Sequence, residues 1–500
     1  MSDAPASLLP ATPLCDLLDC RHPLILAGMG GVARSELVAA VSEAGGFGFL
    51  GMVREPVALI QSEVQRVRER TGRRFGVNLI PAATEARLLR RQVDLCIELG
   101  VPVVCLFWDV AHQVIERLRK AGVIVVHQVG SAAEALLAQE AGAHALIAQG
   151  VEAGGHVRGR QPLDALLADV LPVVHIPVAA AGGIADGRRV AQLLARGAQA
   201  AVLGTALLAT RESFANDYHK RHIVSAEAGD TVLTEAFHIN WPPHAAVRVL
   251  QSSVTRGERG SPQAAGRTQI GDEEGRPIYL FSTDSPLRSM TGDFESMALY
   301  AGQGVDRITA IEPAADCIAR LVAEAEAAWP PARAAAAAGP VELSSPVCYA
   351  AEFERERNAP LIARLNELLE AERAGVRVTV QTLAQIEASR APALHGLVEA
   401  IHHDEAQWCV LLVHAIRDLG CKPGTRTGDF HARAMAIPDL HERLLFLNRG
   451  QGWVAKKLRE LLPLVEEDPA LHRGLTRMLH SHEQNLDKVN QALETPAASR

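Results

Sequence analysis

The chemistry that this sequence can do is concentrated in a few glycine-rich segments and one histidine. GlnGlyValGluAlaGlyGlyHis at 149–156 ends on His156, directly after paired glycines. An imidazole titrates near neutrality and suits proton transfer, and glycines let a short loop hold it in backbone conformations closed to other residues. An exposed loop histidine would show the same letters. AlaAlaGlyGlyIleAlaAspGly at 180–187 and LeuGlyThr at 203–205 place Gly182, Gly183, Gly204 and Thr205 where successive backbone N–H groups can form a nest for a phosphate, or where a helix packs tightly on a strand. AlaGlyMetGlyGly at 27–31 sets Gly28 and Met29 on a turn that lets the backbone approach a flat ligand. Asn78 and Gln149 are amides that end apolar runs. Gln149 is able to face a heteroaromatic ring, and either residue equally fits a purely structural strand end. His127 and Gln128 are wall residues of the same kind.

These segments act together only on a scaffold that brings them to one rim. From about residue 23 to 210, short apolar runs alternate with amphipathic stretches rich in Ala, Leu, Glu and Arg. The runs predict strands at Leu24–Ala27, Gly46–Leu50, Phe75–Leu79, Val101–Phe107, Val123–Val126, Ala145–Ala148, Pro177–Ala181 and Ala200–Leu203. Their continuous aliphatic character implies cover on both faces, and closing them on one another removes both sheet edges. The expected fold is therefore α/β, a (β/α)8 TIM barrel whose active site is built from the loops after the strands. The rhythm breaks over 211–290, where Trp241-Pro242-Pro243 and the polar stretch Ser252–Arg276 suit a lid or insertion. A Pro/Ala-rich tether at 329–346 separates a barrel domain, 1–328, from residues 347–500. There, helical segments at 351–388, 392–419, 438–466 and 469–493 predict an all-α four-helix bundle.

Composition removes several classes of function. Five hundred residues with 48% hydrophobic and 22% charged side chains can bury large cores, and exceed one domain. A formal charge of -8 without a basic block argues against nucleic acid, and no apolar run reaches the roughly 18 residues that span a bilayer. Eight cysteines without a CxxC pair fit free thiols in a reducing compartment, so the expected location is cytoplasmic. The expected partners are small molecules, with no nucleic acid and no membrane, and a homo-oligomer stays open.

In order, GlnGlyValGluAlaGlyGlyHis, ProValAlaAlaAlaGlyGlyIleAlaAspGlyArg and ValLeuGlyThrAlaLeuLeuAlaThrArgGluSer resemble the nitronate monooxygenase family, formerly 2-nitropropane dioxygenases. The resemblance runs from HisProLeuIleLeuAlaGlyMetGlyGly at 22 to TyrAlaGlyGlnGly at 300, about 60% of the chain. It implies a barrel that binds FMN, with Gly28, Met29, Asn78 and Gln149 along the isoalloxazine. Gly154, Gly182, Gly183, Gly204 and Thr205 would then hold the ribityl phosphate, with His156 as the catalytic histidine. The implied reaction oxidises alkyl nitronates with O2 to a carbonyl compound and nitrite through a flavin semiquinone. Where the family usually shows Ala-Pro-Met, this chain has Ala27-Gly28-Met29, which loses a proline that would preset the turn. The alternatives are an NADH-using enzyme like the flavin-dependent enoyl-acyl carrier protein reductase, and a flavin-binding sensor or scaffold.

The C-terminal segment resembles ferritin-like bundles in helix length and connection. His402-x-x-Glu405 on its second helix and His480-x-x-Glu483 on its fourth, with Glu372 on the first, put acid and imidazole three residues apart on one face. The order is the reverse of the Glu-x-x-His that iron-binding bundles use, and Trp408 and Leu486 stand where their histidines would be. A solvated or interfacial polar face, with no metal, is the expectation.

Overall fold

Short apolar runs with no helical period become strands once both their faces can be covered, and this chain closes them into a barrel. In the computed structural model, residues 9–242, 244–261, 267–329, 346–386 and 392–494 are described, the side chains of 346–357, 384, 392, 393 and 494 excepted. The barrel strands are β1 (Leu24–Leu26), β2 (Phe47–Gly51), β3 (Phe75–Leu79), β4 (Val103–Leu106), β5 (Ile124–Val129) and β6 (Ala145–Gln149). A two-residue β7 (Gly155–His156) stands apart, and β8 (Val178–Ala181) and β9 (Ala200–Leu203) complete the barrel. All eight pair in parallel in the order β1-β2-β3-β4-β5-β6-β8-β9, and Leu24 opposite Ala201 closes the circle. The expected (β/α)8 TIM barrel is present. The run predicted from Val101 starts only at Val103, since Pro102 has no N–H to give a neighbouring strand. The run predicted to end at Val126 continues through His127 and Gln128, polar side chains that the apolar pattern passed over.

The interior is a cluster that includes Ile25, Phe47, Phe49, Val103, Val126, Ile147 and Val202. A helix at Pro13–Leu18, capped by Thr12, adds Leu14 and Leu18 to the same cluster. The Thr12 hydroxyl donates to the Gln199 carbonyl at 2.8 Å, just before β9, which fixes the helix as a plug at the N-terminal end of the barrel. Each fully buried leucine there contributes roughly 1.5–3 kcal/mol. With that end plugged, the opposite rim is where ligands can enter.

The predicted lid region is ordered structure. β10 (Thr231–Thr234) and β11 (Val247–Leu250) form an antiparallel sheet with β7, and β12 (Gln269–Glu273) pairs with β13 (Arg276–Tyr279) and β14 (Met290–Gly292). Val247 opposite His156 ties the active-site loop to that sheet. Pro243 and part of the predicted polar insertion, 262–266, lie outside the described residues.

The chain divides into two compact units, 1–131 with 142–337, and 132–141 with 338–500. Most of the predicted tether, 330–345, lies outside the described residues. The second unit contains long helices at Pro346–Gln385, Pro392–Asp418, Leu440–Leu461 and Pro469–Glu494. The connection expected between the second and third also carries a short helix, Phe430–Met435. Val378, Val398, Ile401, Leu444, Leu447 and Val489 belong to the apolar core of this unit. No helix among the described residues is long and apolar enough to cross a membrane.

Candidate active site

The loops after the barrel strands enclose a cavity of ≈ 630 Å³, within the usual range for a cofactor or substrate site. Gly28 and Met29 after β1, Asn78 on β3 and Gln149 on β6 line it. So do Gly154 and His156 after β6, Gly182 and Gly183 after β8, and Gly204 and Thr205 after β9. The structure thus brings every candidate from the barrel sequence to one chamber. Gln128 also lines it, whereas His127 is fully buried in the wall, its Nδ1 2.9 Å from the Gln128 carbonyl. Burial pushes the His127 imidazole down to about 4, so it stays neutral.

Glycine is required at two of these turns. A Cβ on Gly28 would stand 2.2 Å from the Asn78 Cβ, so the turn after β1 packs directly on Asn78. This explains the glycine where a proline was expected: the close approach is made by removing the side chain. Gly183 sits at φ 63, a left-handed conformation that L side chains avoid, while Gly204 faces open space.

The His156 loop is pinned, not free. The Gly150 N–H donates to the Ala181 carbonyl at 2.9 Å, the Arg248 guanidinium donates to the Val151 carbonyl at 2.9 and 3.0 Å, and the Gln303 N–H donates to the Glu152 carbonyl at 2.9 Å. The Gln149 Nε2 donates to the His156 carbonyl at 2.9 Å, so that amide holds the loop's end as well as lining the chamber. The imidazole stacks on Trp241 with centroids 3.3 Å apart and planes 16° from parallel, with Trp108 edge-on at 6.2 Å. Its Nε2 is buried without a hydrogen-bond partner among the described residues. Burial first, and the charge of Arg54 second, hold this imidazole well below the usual histidine range, so at neutral pH it is an unprotonated base.

Arg54, Trp241, Tyr300 and Asp284 line the chamber and were not singled out from the sequence. Trp241 was visible only as part of a break in the βα rhythm. Arg54 had a signal, since MetValArgGluPro follows a predicted strand on the active rim. Arg54 has φ 58, and such left-handed residues other than glycine cost of order 1 kcal/mol. Its Nη1 donates to the Asn240 carbonyl at 2.8 Å, and its Nη2 lies 3.4 Å from the Thr283 hydroxyl.

In the helical unit, Glu372, His402 and Glu405 are buried, which corrects the solvated form of the expected solvated or interfacial face. His480 is exposed, and Glu483 pairs with Arg459 at 2.6 Å on the outside. The buried histidine of that helix is His482, one residue in three-residue register with Asn485, also buried. Among the described residues no group of three or more His, Cys, Asp or Glu side chains is arranged to hold a metal ion.

The family model for nitronate monooxygenase matches residues 11–324, more than half of the chain, and a domain of unknown function, DUF6306, matches 359–491. The chain belongs to the nitronate monooxygenase family, a class of flavin-dependent oxidoreductases. A Staphylococcus aureus (strain Newman) protein named "Probable nitronate monooxygenase" is 32% identical, covering 62% of this chain and 96% of that one. A nitroalkane oxidase structure from Streptomyces ansochromogenes is 34% identical with TM-score 0.53, covering 65% of this chain and 99% of that one. The (3aS,4S,5R,7aS)-5-hydroxy-7a-methyl-1-oxo-octahydro-1H-indene-4-carboxyl-CoA dehydrogenase of Mycobacterium tuberculosis is 36% identical over 264 residues, 52% of this chain and 73% of that one. The family implies a flavin, and the chamber fits one on its own features: a turn without a side chain at Gly28, and glycine backbone at 182–183 and 204 bordering the same space.

Proposed function

We propose that the protein is an FMN-dependent nitronate monooxygenase that converts alkyl nitronates and O2 to a carbonyl compound and nitrite. The observation that carries this reading is the convergence of the glycine turns and of His156, whose buried Nε2 has no partner among the described residues, on one chamber. Gly28, Met29, Asn78 and Gln149 would border the ring system, and Gly154, Gly182, Gly183, Gly204 and Thr205 the phosphate. The Thr205 hydroxyl accepts from the Gly302 N–H at 2.9 Å, which leaves its own proton to donate. FMN supplies one-electron chemistry between an even-electron carbanion and triplet oxygen, a step that no side chain can perform.

The chain's own residues prepare the substrate. His156, neutral at working pH, takes the α-proton of a nitroalkane: the C–H bond breaks, an N–H bond forms at Nε2, and the electron pair moves onto the nitro group. Trp241 and Trp108 hold the ring in one plane and exclude water from it, which keeps the base unprotonated. Seven free cysteines among the described residues accord with a reducing, cytoplasmic setting.

Purified protein should be yellow, should release FMN on denaturation, and should consume O2 with propyl nitronate. A colourless protein that cannot be reconstituted with FMN overturns the proposal. A second reading, transfer of a hydride to or from a thioester substrate, is favoured by the relative named as an indene-carboxyl-CoA dehydrogenase. Anaerobic mixing with NADH separates the two: rapid bleaching of the flavin supports the hydride enzyme, and an unreduced flavin with oxygen uptake on nitronate supports the monooxygenase.

A further inference from the structure

We propose that Arg54 is the anion anchor of the chamber, and that it selects substrates bearing a planar pair of oxygens with a shared negative charge, as in a nitronate or a carboxylate. The inference rests on the reading above only in placing the substrate beside His156.

Arg54 is the cation of the chamber that carries no carboxylate partner. Its guanidinium donates to a backbone carbonyl, that of Asn240 at 2.8 Å, and reaches the Thr283 hydroxyl at 3.4 Å. The acids nearby are taken by other arginines. Glu55 pairs with Arg34 at 3.0 Å, and Glu273 and Asp284 both pair with Arg276, at 2.6 and 2.9 Å. Among the described residues no carboxylate stands within ion-pairing distance of Arg54. A guanidinium has five N–H donors in a flat fork, and the two contacts above leave the rest for a ligand.

The placement is built, not incidental. Arg54 holds a left-handed backbone at φ 58, and Asn240, which receives its hydrogen bond, does so at φ 74. Two residues in a backbone conformation that side chains generally avoid meet in the chamber wall and hold one cation among its lining. The charge acts on His156: removing water from around Arg54 and the imidazole together leaves each with less solvation than a surface pair would have. Such a pairing is useful where negative charge arrives or develops next to a neutral base, because the anion restores the balance of the chamber. A neutral substrate of the same shape offers the guanidinium one acceptor oxygen but no charge and no second equivalent oxygen.

The test uses the full-length protein and two unreactive probes of nearly equal shape, propionate and propionamide, titrated by calorimetry. The wild type should bind the anion about 10- to 100-fold more tightly than the amide, the worth of a charge-assisted hydrogen bond pair. Arg54→Gln should abolish that preference while leaving the affinity for propionamide and the flavin content unchanged. Equal affinities in the wild type, no saturable binding of either probe, or a preference that survives Arg54→Gln overturns the proposal. Labelling the wild type with phenylglyoxal keeps the test open if the variant does not fold. Propionate but not propionamide should protect Arg54 from modification, and protection by neither overturns it. Neither measurement needs turnover, so oxygen uptake with propyl nitronate can fail while the anchor stands, and the reverse.

Discussion

The barrel and the helical unit bury the same kinds of side chain and put them to different use. In the barrel, His156, its Nε2 buried without a partner among the described residues, lines a chamber of ≈ 630 Å³ together with Arg54, a guanidinium that hydrogen-bonds only carbonyl and hydroxyl groups. In the helical unit, His482 contacts Glu372 at 3.2 Å and also the Gln451 amide oxygen, and the Gln451 Nε2 donates to Glu405 at 2.6 Å. Thr379 and His402 meet at 2.8 Å in the same interior. The barrel's polar groups line a cavity, whereas the bundle's contact one another, with Glu372 Oε2 and Glu405 Oε2 left over inside the packing. Residue type and spacing do not separate these cases. What marks the barrel site is the cavity that its polar groups line, since buried atoms without a partner occur in both units.

The largest expected break in this contrast is chemical. His156→Asn should keep the flavin and lower turnover of 1-nitropropane by about 10²- to 10⁴-fold, the range of general acid–base catalysis. The pH profile follows from the depressed basicity of the imidazole. A base works when unprotonated, so kcat/KM should stay level as pH falls through the ordinary histidine value of 6.5 and decline only below it. An inflection at or above 6.5, or an unaltered rate in the variant, removes His156 from the reaction. In the helical unit the corresponding change should cost stability and leave turnover alone. His482→Leu deletes the partner of the buried Glu372 and should destabilise that unit by about 3 kcal/mol, measured by urea unfolding of the full chain. A loss of kcat without a loss of stability would erase the distinction between site and network.

The strands were legible because a parallel barrel asks for one simple thing, a short run with no polar face, and eight such runs stand in the right order. Glycine turns were legible because few side chains can replace them. Arg54 was harder to find, since its role depends on a left-handed backbone and on Asn240, 186 residues away. Trp241 likewise reaches His156 through a sheet formed by β7 and β11, a pairing with no local signal in the sequence. In the helical unit the three-residue spacing found the right helices and the wrong face of the last one. His480 and His482 differ by about 200° around a helix, and only packing decides which turns inward.

The smallest effect concerns the sign of a buried charge. Glu405 is fully enclosed, and burial first, then the nearby Glu372 and Asp404, hold its carboxyl well above the usual carboxylate range. Gly375 is part of that enclosure, since a Cβ there would stand 2.4 Å from Glu405 Oε1. A carboxyl raised in the folded state binds its proton more tightly folded than unfolded. Its contribution to stability is therefore complete below the unfolded value of about 4.5 and is lost as pH rises toward the folded value. Glu405→Gln keeps the oxygen that accepts from Gln451 and cannot ionise, so it should flatten this slope and raise stability at neutral pH by about 1 kcal/mol. Urea unfolding at several pH values between 5 and 8 reads both quantities. If the variant is instead less stable at neutral pH and keeps the wild-type slope, the charge on Glu405 is being held by something the helical network receives from outside. The contrast with the barrel would then fail at its centre.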